Sequence, residues 1–419
     1  MAEFPPPSLP HPSRKSLKRL DWFIFLVADV QTGFGPFVAV YLTSQKWTQI
    51  EIGLVLTVAG LVSLLGQIPG GALVDAVRSE RVVAAVAVTL IAISAMVYAT
   101  FPIFPAVLLA ATLHAAASCV LGPAIAAISL GLVGHAAIGE RFGRNARFAS
   151  IGSGLAAAGM GATGYFLSNQ AVFLVTALLA VPTLIALAHI PPNEIDPVRA
   201  HGGLAHGRTA TTAAALRTLL TNRSLPTFAI CVGIFQLANA AMLPLMASVI
   251  TMRSSTWATT LVAACIVVPQ LVVAAISPTV GRWAQRWGRR PILLLGFGAL
   301  PIRGLLFMVV TDPYLLVAIQ LLDGICAAVF GVLVPLSIAD ITRDTGRFNL
   351  AQGIVGTGIG IGASLSTTLG GLMSDRFGSS VAFLGLACIG AAGFVLFWLL
   401  MPETSERRSD RKLLASGRK

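Results

Sequence analysis

An all-helical membrane fold is predicted by three properties of the 419-residue sequence: 56% of it is hydrophobic, only 11% is charged, and the mean hydropathy is +0.83. Soluble domains carry roughly 25% charged residues, so composition argues against a water-soluble globule of this size. The net charge of +12 would suit a nucleic-acid partner if the basic residues shared one surface. They fall instead in short bursts between apolar runs, so the expected surrounding is a lipid bilayer and no nucleic-acid partner is expected. Cys119, Cys231, Cys265, Cys326 and Cys388 stand singly in apolar runs without C-x-x-C spacing. They suggest neither a disulfide framework nor a metal cluster and read as small core residues; no cofactor or metal is expected.

About twenty apolar residues carry a helix across the hydrocarbon core. Stretches of that kind lie at 21–43, 50–74, 82–100, 104–131, 148–168, 171–189, 224–250, 256–279, 291–310, 313–339, 349–373 and 380–401. The segment before the first is proline-rich and then basic, and the apolar run behind it continues to about Tyr41. That is too long for a cleavable signal, so it reads as a retained first helix. The connections at 101–105 and 168–170 are very tight, which makes the helices they join antiparallel neighbours. Glycine is abundant, with 41 residues, and small residues let membrane helices approach closely.

All basic residues except Lys46, Arg253, Arg303 and Arg376 fall in alternate polar segments, beginning with the N-terminus and finishing with the C-terminal tail. Excess Lys and Arg mark the cytoplasmic side, so both termini are expected there and the number of spans is even. The expected organisation is a tail (1–20), a six-helix bundle (21–190), a linker (191–223), a second six-helix bundle (224–401) and a tail (402–419). Within the linker, only 212–220 looks able to form a short surface helix.

The two bundles repeat. Gly71-x-x-x-Asp75 matches Gly281-x-x-x-Gln285, Pro36 matches Pro244, Gly122 matches Gly331, and Gly143-Arg144-Asn145 resembles Gly346-Arg347-Phe348-Asn349, all at offsets near 208. After the second span the chain reads Gly71-Ala72-Leu73-Val74-Asp75-Ala76-Val77-Arg78-Ser79-Glu80-Arg81. After the eighth it reads Gly281-Arg282-Trp283-Ala284-Gln285-Arg286-Trp287-Gly288-Arg289-Arg290.

In these residues the chain resembles the major facilitator superfamily over essentially its full length. That family carries a G-x-L-x-D-R-x-G-R-R loop after its second helix and a degenerate copy after its eighth. Here the first copy keeps Gly71, Leu73 and Asp75 and has Ala76 and Arg78 where an arginine and a glycine are expected; the second keeps the glycines and arginines and has Trp283 and Gln285 where the leucine and the acid are expected. The resemblance implies twelve helices in two pseudo-symmetric halves, and transport by halves that close alternately around a central cavity. It also implies that Gly71, Asp75, Arg78, Arg81, Gly281, Gln285, Arg286, Gly288, Arg289 and Arg290 form cytoplasmic latches. Physically, Gly71 and Gly281 permit close helix contact, while Asp75 could pair with arginines or cap the N-terminus of a neighbouring helix. The alternative is an ordinary charged turn. Family antiporters often carry glycines and a proline in the fifth helix; here the glycines are present without the proline, which counts against a typical multidrug antiporter.

Ionisable groups at membrane depth are costly and therefore informative. Asp29 lies about 12 Å along the first span, and reads either as a coupling or gating group or as a structural polar contact. Arg303 and Asp323 lie at similar depth in successive antiparallel spans, so an ion pair is expected, either a fixed strut or one opened by a proton or an anion. At the repeat offset Asp323 matches His114, and both groups are chemically able to carry a proton; a plain helix–helix hydrogen bond is the alternative for His114. Gln31 matches Asn239, and Gln236, Asn239, Gln320 and Gln270 are further candidates for a polar cavity surface. With no G-x-x-x-x-G-K-[S/T] loop and no hydrolytic triad, neither an ATP motor nor an enzyme is expected. The leading expectation is a monomeric secondary transporter of a bacterial inner membrane, exporting small organic compounds in exchange for protons. Proton-coupled uptake of an organic anion or metabolite, and a non-transporting sensor or scaffold, are the alternatives.

Overall fold

The computed structural model describes residues 12–32, 36–203, 212–253 and 258–404, and their regular structure is helical. In chain order the α-helices are α1 (Arg14–Thr32), α2 (Pro36–Ser44), α3 (Gln49–Ala76), α4 (Glu80–Thr100), α5 (Phe104–Phe166), α6 (Asn169–Ala188), α7 (Pro197–Ala200), α8 (Thr212–Thr221), α9 (Ser224–Asn239), α10 (Met242–Arg253), α11 (Ala258–Trp287), α12 (Arg289–Val309), α13 (Pro313–Ile341), α14 (Phe348–Phe377) and α15 (Ser379–Leu400). Nine helical stretches among the described residues are long and apolar enough to cross a membrane.

Local sequence accounts for the helix starts. Thr48 and Glu51 form a reciprocal capping box on α3, and Ser79 and Ser168 cap α4 and α6 through their hydroxyls. Asp312 accepts the first free amides of α13, whose first residue is Pro313. These side chains satisfy donors that a helix leaves open.

Three departures from the sequence reading have physical causes. The seventh apolar stretch is shared by α9 and α10, with Pro244 third in α10. Proline is tolerated in a first helical turn and disrupts an interior, which accounts for the break just before Pro244. The linker holds more structure than one surface helix, because a 3-10 turn at Pro192–Glu194 and α7 precede α8. Cys388 is exposed, unlike the other four cysteines.

The helical run of α5 covers 63 residues. Straight, it would be about 95 Å long, three times the thickness of a hydrocarbon core of roughly 30 Å. Gly134 interrupts it with φ 66 and ψ 177, a left-handed conformation open to glycine. Asn145 Nδ2 donates to Ser129 Oγ at 2.8 Å. A straight helix would hold those residues about 24 Å apart, so the chain folds back at Gly134.

One apolar core joins residues between Leu20 and Ala200; a second joins residues from Ala215 to Met401 with Ala126, Leu130, Ile138 and Phe142 of α5. Leu65, Leu109, Leu178, Leu271, Leu295 and Leu399 are exposed, large apolar side chains that suit lipid rather than water.

The N-terminal and C-terminal helices meet along two seams. In the first, α3 crosses α14: a Cβ at Gly71 would collide with the Asn349 carbonyl oxygen, and one at Gly353 with that of Gln67. In the second, α5 crosses α11: a Cβ at Gly281 would strike the Gly139 carbonyl oxygen, and one at Gly143 would lie 2.6 Å from that of Ser277. Farther along, Arg147 Nε donates to Ala274 O at 2.7 Å and Ser150 Oγ to Gln270 O at 3.0 Å. Beyond Ser150 a Cβ at Gly154, Gly159 or Gly161 would meet nothing within 4 Å, and the same holds for Gly60 and Gly53 on α3. Each seam thus grips near one face, the face that bears the linker, for about 16 Å of helix, and then parts.

Candidate functional site

Between the seams lies a cavity of about 440 Å³, lined by both sets of helices. Its walls come from α1, α3, α5, α13 and α14, and Gly122 and Gly331, the repeat-related pair, both line it. Most of the lining is apolar. Gln67, Asn145 and Gln352 supply its side-chain amides, and its lining includes no charged residue.

Each amide is anchored. Asn145 accepts from Arg141 Nε at 2.6 Å and donates to Ser129, while Arg141 and Arg144 pair with the buried Asp21 of α1. Gln67 Nε2 reaches Cys119 Sγ at 3.8 Å. Gln352 Nε2 donates to Asn349 Oδ1 at 3.2 Å, and Asn349 belongs to the gate below.

At the gate, the Asp75 carboxylate accepts from Asn349 N at 3.2 Å, Asn349 Nδ2 at 2.9 Å and Leu350 N at 2.8 Å. The last residues of α3 therefore cap the N-terminus of α14, where free amides and the helix dipole favour a negative charge. Of the two roles open to Asp75, the structure places it in the capping role. Arg78 is exposed, and Arg81 Nη2 donates to Ala188 O at 3.0 Å. Neither arginine pairs with Asp75, because the turn after Ala76 carries Arg78 outward and α4 aims Arg81 at the end of α6.

The side chain that faces Asp75 comes instead from the linker. His201, buried to 4% exposure, holds Nδ1 3.5 Å from Asp75 Oδ1 and Nε2 3.2 Å from Glu80 Oε1. Its carbonyl accepts from Phe348 N at 3.2 Å, and the Gly202 carbonyl accepts from Asp344 N at 2.7 Å. Upstream, Asp196 N donates to Gly131 O at 3.1 Å, so the linker straps both sets of helices. Farther back, Glu194 accepts from Ser13 N at 2.9 Å. Burial pushes the Glu194 carboxyl up, but bonds from Ser13 and Ser16 together with the Arg19 charge outweigh it and hold the group below the ordinary carboxylate range.

The second loop motif divides its work. Gly281 makes the close contact with Gly139, and Gln285 Nε2 donates to Ala136 O at 3.0 Å. Gly288, at φ 96, breaks α11 from α12. Arg289 Nε meets Asp340 Oδ2 at 2.9 Å, and Glu403 accepts the amides of Arg289 and Arg290. Arg290 also donates to Trp398 O, whereas Arg286 is exposed. Arg289 and Arg290 thus bind C-terminal elements to one another rather than latching them to the N-terminal helices.

Away from the cavity lining, Arg303 pairs with Asp323 and donates from Nη2 to Asn239 Oδ1 at 2.8 Å; Asn239 Nδ2 donates to Gln236 Oε1 at 3.3 Å. This chain of four polar groups joins α13, α12 and α9. Gln320, one turn from Asp323, is buried with neither amide atom in a hydrogen bond. Gln270 accepts from Ser150 across the α5–α11 seam. His114 Nε2 lies 3.5 Å from Ser118 Oγ. The side chains of Asp29 and Gln31 lie outside the described residues.

An all-helical, multi-pass chain that encloses a cavity between two sets of helices and shuts it at one face has the build of a membrane transporter. The family model described as Major Facilitator Superfamily matches residues 22–268 and 228–418, and the chain belongs to that superfamily. It is accordingly a transporter rather than an enzyme. An uncharacterised MFS-type transporter of Mycobacterium tuberculosis (strain H37Rv) is 38% identical over 392 residues, covering 92% of this chain and 93% of that protein. A class D tetracycline resistance protein of Salmonella ordonez is 28% identical over 144 residues, 34% of this chain and 36% of that one. Among solved structures, the Escherichia coli fucose:proton symporter has a TM-score of 0.74 at 14% identity, covering 92% of this chain and 98% of that one. A superfamily transporter, FucP, in the outward conformation reaches 0.77 at 15% identity, covering 93% and 100%.

Proposed function

We propose that the protein exports small, largely apolar organic compounds by alternating access, in exchange for protons, as a monomer in a bacterial inner membrane. Twelve spans in two pseudo-symmetric six-helix halves, 21–190 and 224–401, are the architecture this reading requires. The two apolar cores support it. Loop charge argues for cytoplasmic termini, which makes the gripped face cytoplasmic and the conformation outward-facing.

The observation that carries the reading is the cavity lined by Gln67, Asn145 and Gln352 and shut below by the α3–α14 and α5–α11 seams. Apolar walls with a few amides suit a solute held by contact and oriented by hydrogen bonds. An organic anion is a poorer fit, because the lining holds no cation and the Arg303 charge is already met by Asp323. Partial likeness to the tetracycline resistance protein and to a multidrug resistance protein of Bacillus subtilis, 27% identical over 150 residues, also favours organic cargo. For coupling, the buried Arg303–Asp323 pair is the leading group, since a proton on Asp323 would cancel half of it; Asp29 and His114 remain candidates.

The test is transport in proteoliposomes with an imposed pH gradient of either sign, using tetracycline and a panel of neutral and anionic solutes. Gradient-driven movement of neutral or amphiphilic compounds is expected. Selective movement of anions, or no response of any solute to the gradient, would overturn the proposal.

A further inference from the structure

The loop after α3 lacks the arginine expected beside Asp75, since Ala76 stands there, and neither Arg78 nor Arg81 reaches the carboxylate. The linker delivers an imidazole to that point. We propose that His201 is a proton-binding residue of the gate, so that protonation of the linker strap holds the cytoplasmic face shut. This rests on the alternating-access reading above.

The argument is one of charge. A neutral imidazole carries no charge and a single N–H, whereas the imidazolium presents a positive charge and an N–H at both nitrogens. His201 faces one carboxylate from each ring nitrogen, Asp75 at the end of α3 and Glu80 at the start of α4, at ion-pair distance and with neither nitrogen in a hydrogen bond. Only the protonated ring offers charge to both at once. The remaining charges against the strap are Asp344, whose amide bonds Gly202, and Arg199, which pairs with Asp196 at 3.3 Å; neither of these contacts engages the imidazole.

Because the His201 carbonyl also holds the Phe348 amide at the start of α14, parting α3 from α14 must pull the strap away from one side or the other. The closed gate therefore binds the His201 proton more tightly than the open gate, and linkage requires the converse: acidification closes it and alkalinisation frees it. Histidine is the side chain that changes charge in this range without special tuning. In an exporter of the proposed kind, the strap would restrain cytoplasmic opening when the cytoplasm is acid.

The experiment measures the distance between spin labels at two exposed gate-face positions, R78C and R286C, in the full chain in nanodiscs with C388S, from pH 5.5 to 8.5. For wild-type His201 the short-distance population should fall roughly fivefold or more as pH rises, the size of an ordinary coupling. H201Q should be flat over the range, and H201R, charged throughout, should stay short. E80Q, which keeps the histidine but removes one carboxylate, should also flatten the response and serves if the His201 variants do not fold. A pH response in H201Q or H201R equal to that of wild type would overturn the proposal. So would a wild-type distance that moves with added tetracycline but not with pH. A distance that moves with neither would sink the alternating-access reading along with it.

Discussion

Gln352 donates its amide to Asn349 Oδ1 at 3.2 Å while Asn349 Nδ2 donates to Asp75 Oδ1 at 2.9 Å, so one side chain of the cavity lining is bonded to the residue that the gate carboxylate grips. A solute that draws Gln352 toward itself removes a bond from Asn349 and weakens the cap on α14. Binding and gating are then linked through one amide. Q352L removes the bond to Asn349 permanently, so it should loosen the gate even without solute and leave its position insensitive to solute, because the leucine neither binds solute by hydrogen bond nor transmits its arrival. Solute-dependent labelling of a cysteine at the α5–α11 seam, such as S277C, should fall at least severalfold relative to the Gln352 protein. Equal solute response in both would show that the link carries no signal.

Gly71 and Gly281 each lie against a backbone carbonyl oxygen of the opposite half, and backbone cannot rotate aside as a side chain can. Adding a methyl at either place forces the seam apart. Overpacking of this kind costs roughly 1–3 kcal/mol, which shifts the gate toward opening by about one order of magnitude. G71A and G281A should each raise S277C labelling, and their effects should be nearly additive because the seams share no contact. By contrast G154A, with nothing within 4 Å of its Cβ, should leave labelling unchanged. A G154A effect as large as that of G71A would contradict the assignment of the closed face.

The helical, multi-pass character and the seam aspartate were legible because each rests on local pattern: apolar length, and a glycine four residues before an acid. His201 was not. The linker is polar and small-residue-rich in composition, and its histidine becomes buried only where α3, α4 and α14 converge. The available signal was the missing arginine at Ala76, which leaves Asp75 and Glu80 without a neighbouring cation. The cavity amides show a second limit. Position along a span sets depth, but each residue turns the helix about 100°, so depth could select Gln236 and Asn239 without showing that Asn239 faces Arg303 and Gln236 bonds Asn239. The repeat did better, since Gly122 and Gly331 both line the cavity.

Asp75 offers a prediction in which geometry and charge separate. D75N keeps an acceptor oxygen for one amide but loses the charge that two backbone amides and the α14 dipole share. Such terms are worth about 0.3–2 kcal/mol apart from the bonds themselves, so the open population should rise severalfold. D75E, which keeps the charge at a longer reach, should lie between the two. Spin-label distances across the gate at a fixed pH would rank the three; a ranking with D75N nearest the wild type would refute a charge-based cap.

Removing one member of a buried ion pair leaves the other charge unmet, at a cost of roughly 3–5 kcal/mol. R303M and D323L should each lower the unfolding temperature by roughly 3–6 °C. With Arg303 only 2% exposed and bonded also to Asn239, R303M should be the milder, since Asp323 is about a quarter exposed and can take a proton. The double variant R303M/D323L removes both charges and should regain most of the stability. It also removes the group proposed to carry the proton. Folded, it should still bind solute yet fail to accumulate or release it under a pH gradient, whereas a pair that is only a strut would leave gradient-driven transport intact. Thermal unfolding and proteoliposome flux on the same preparation therefore separate the two roles, and undiminished gradient-driven flux in the double variant would move the coupling site to Asp29 or His114.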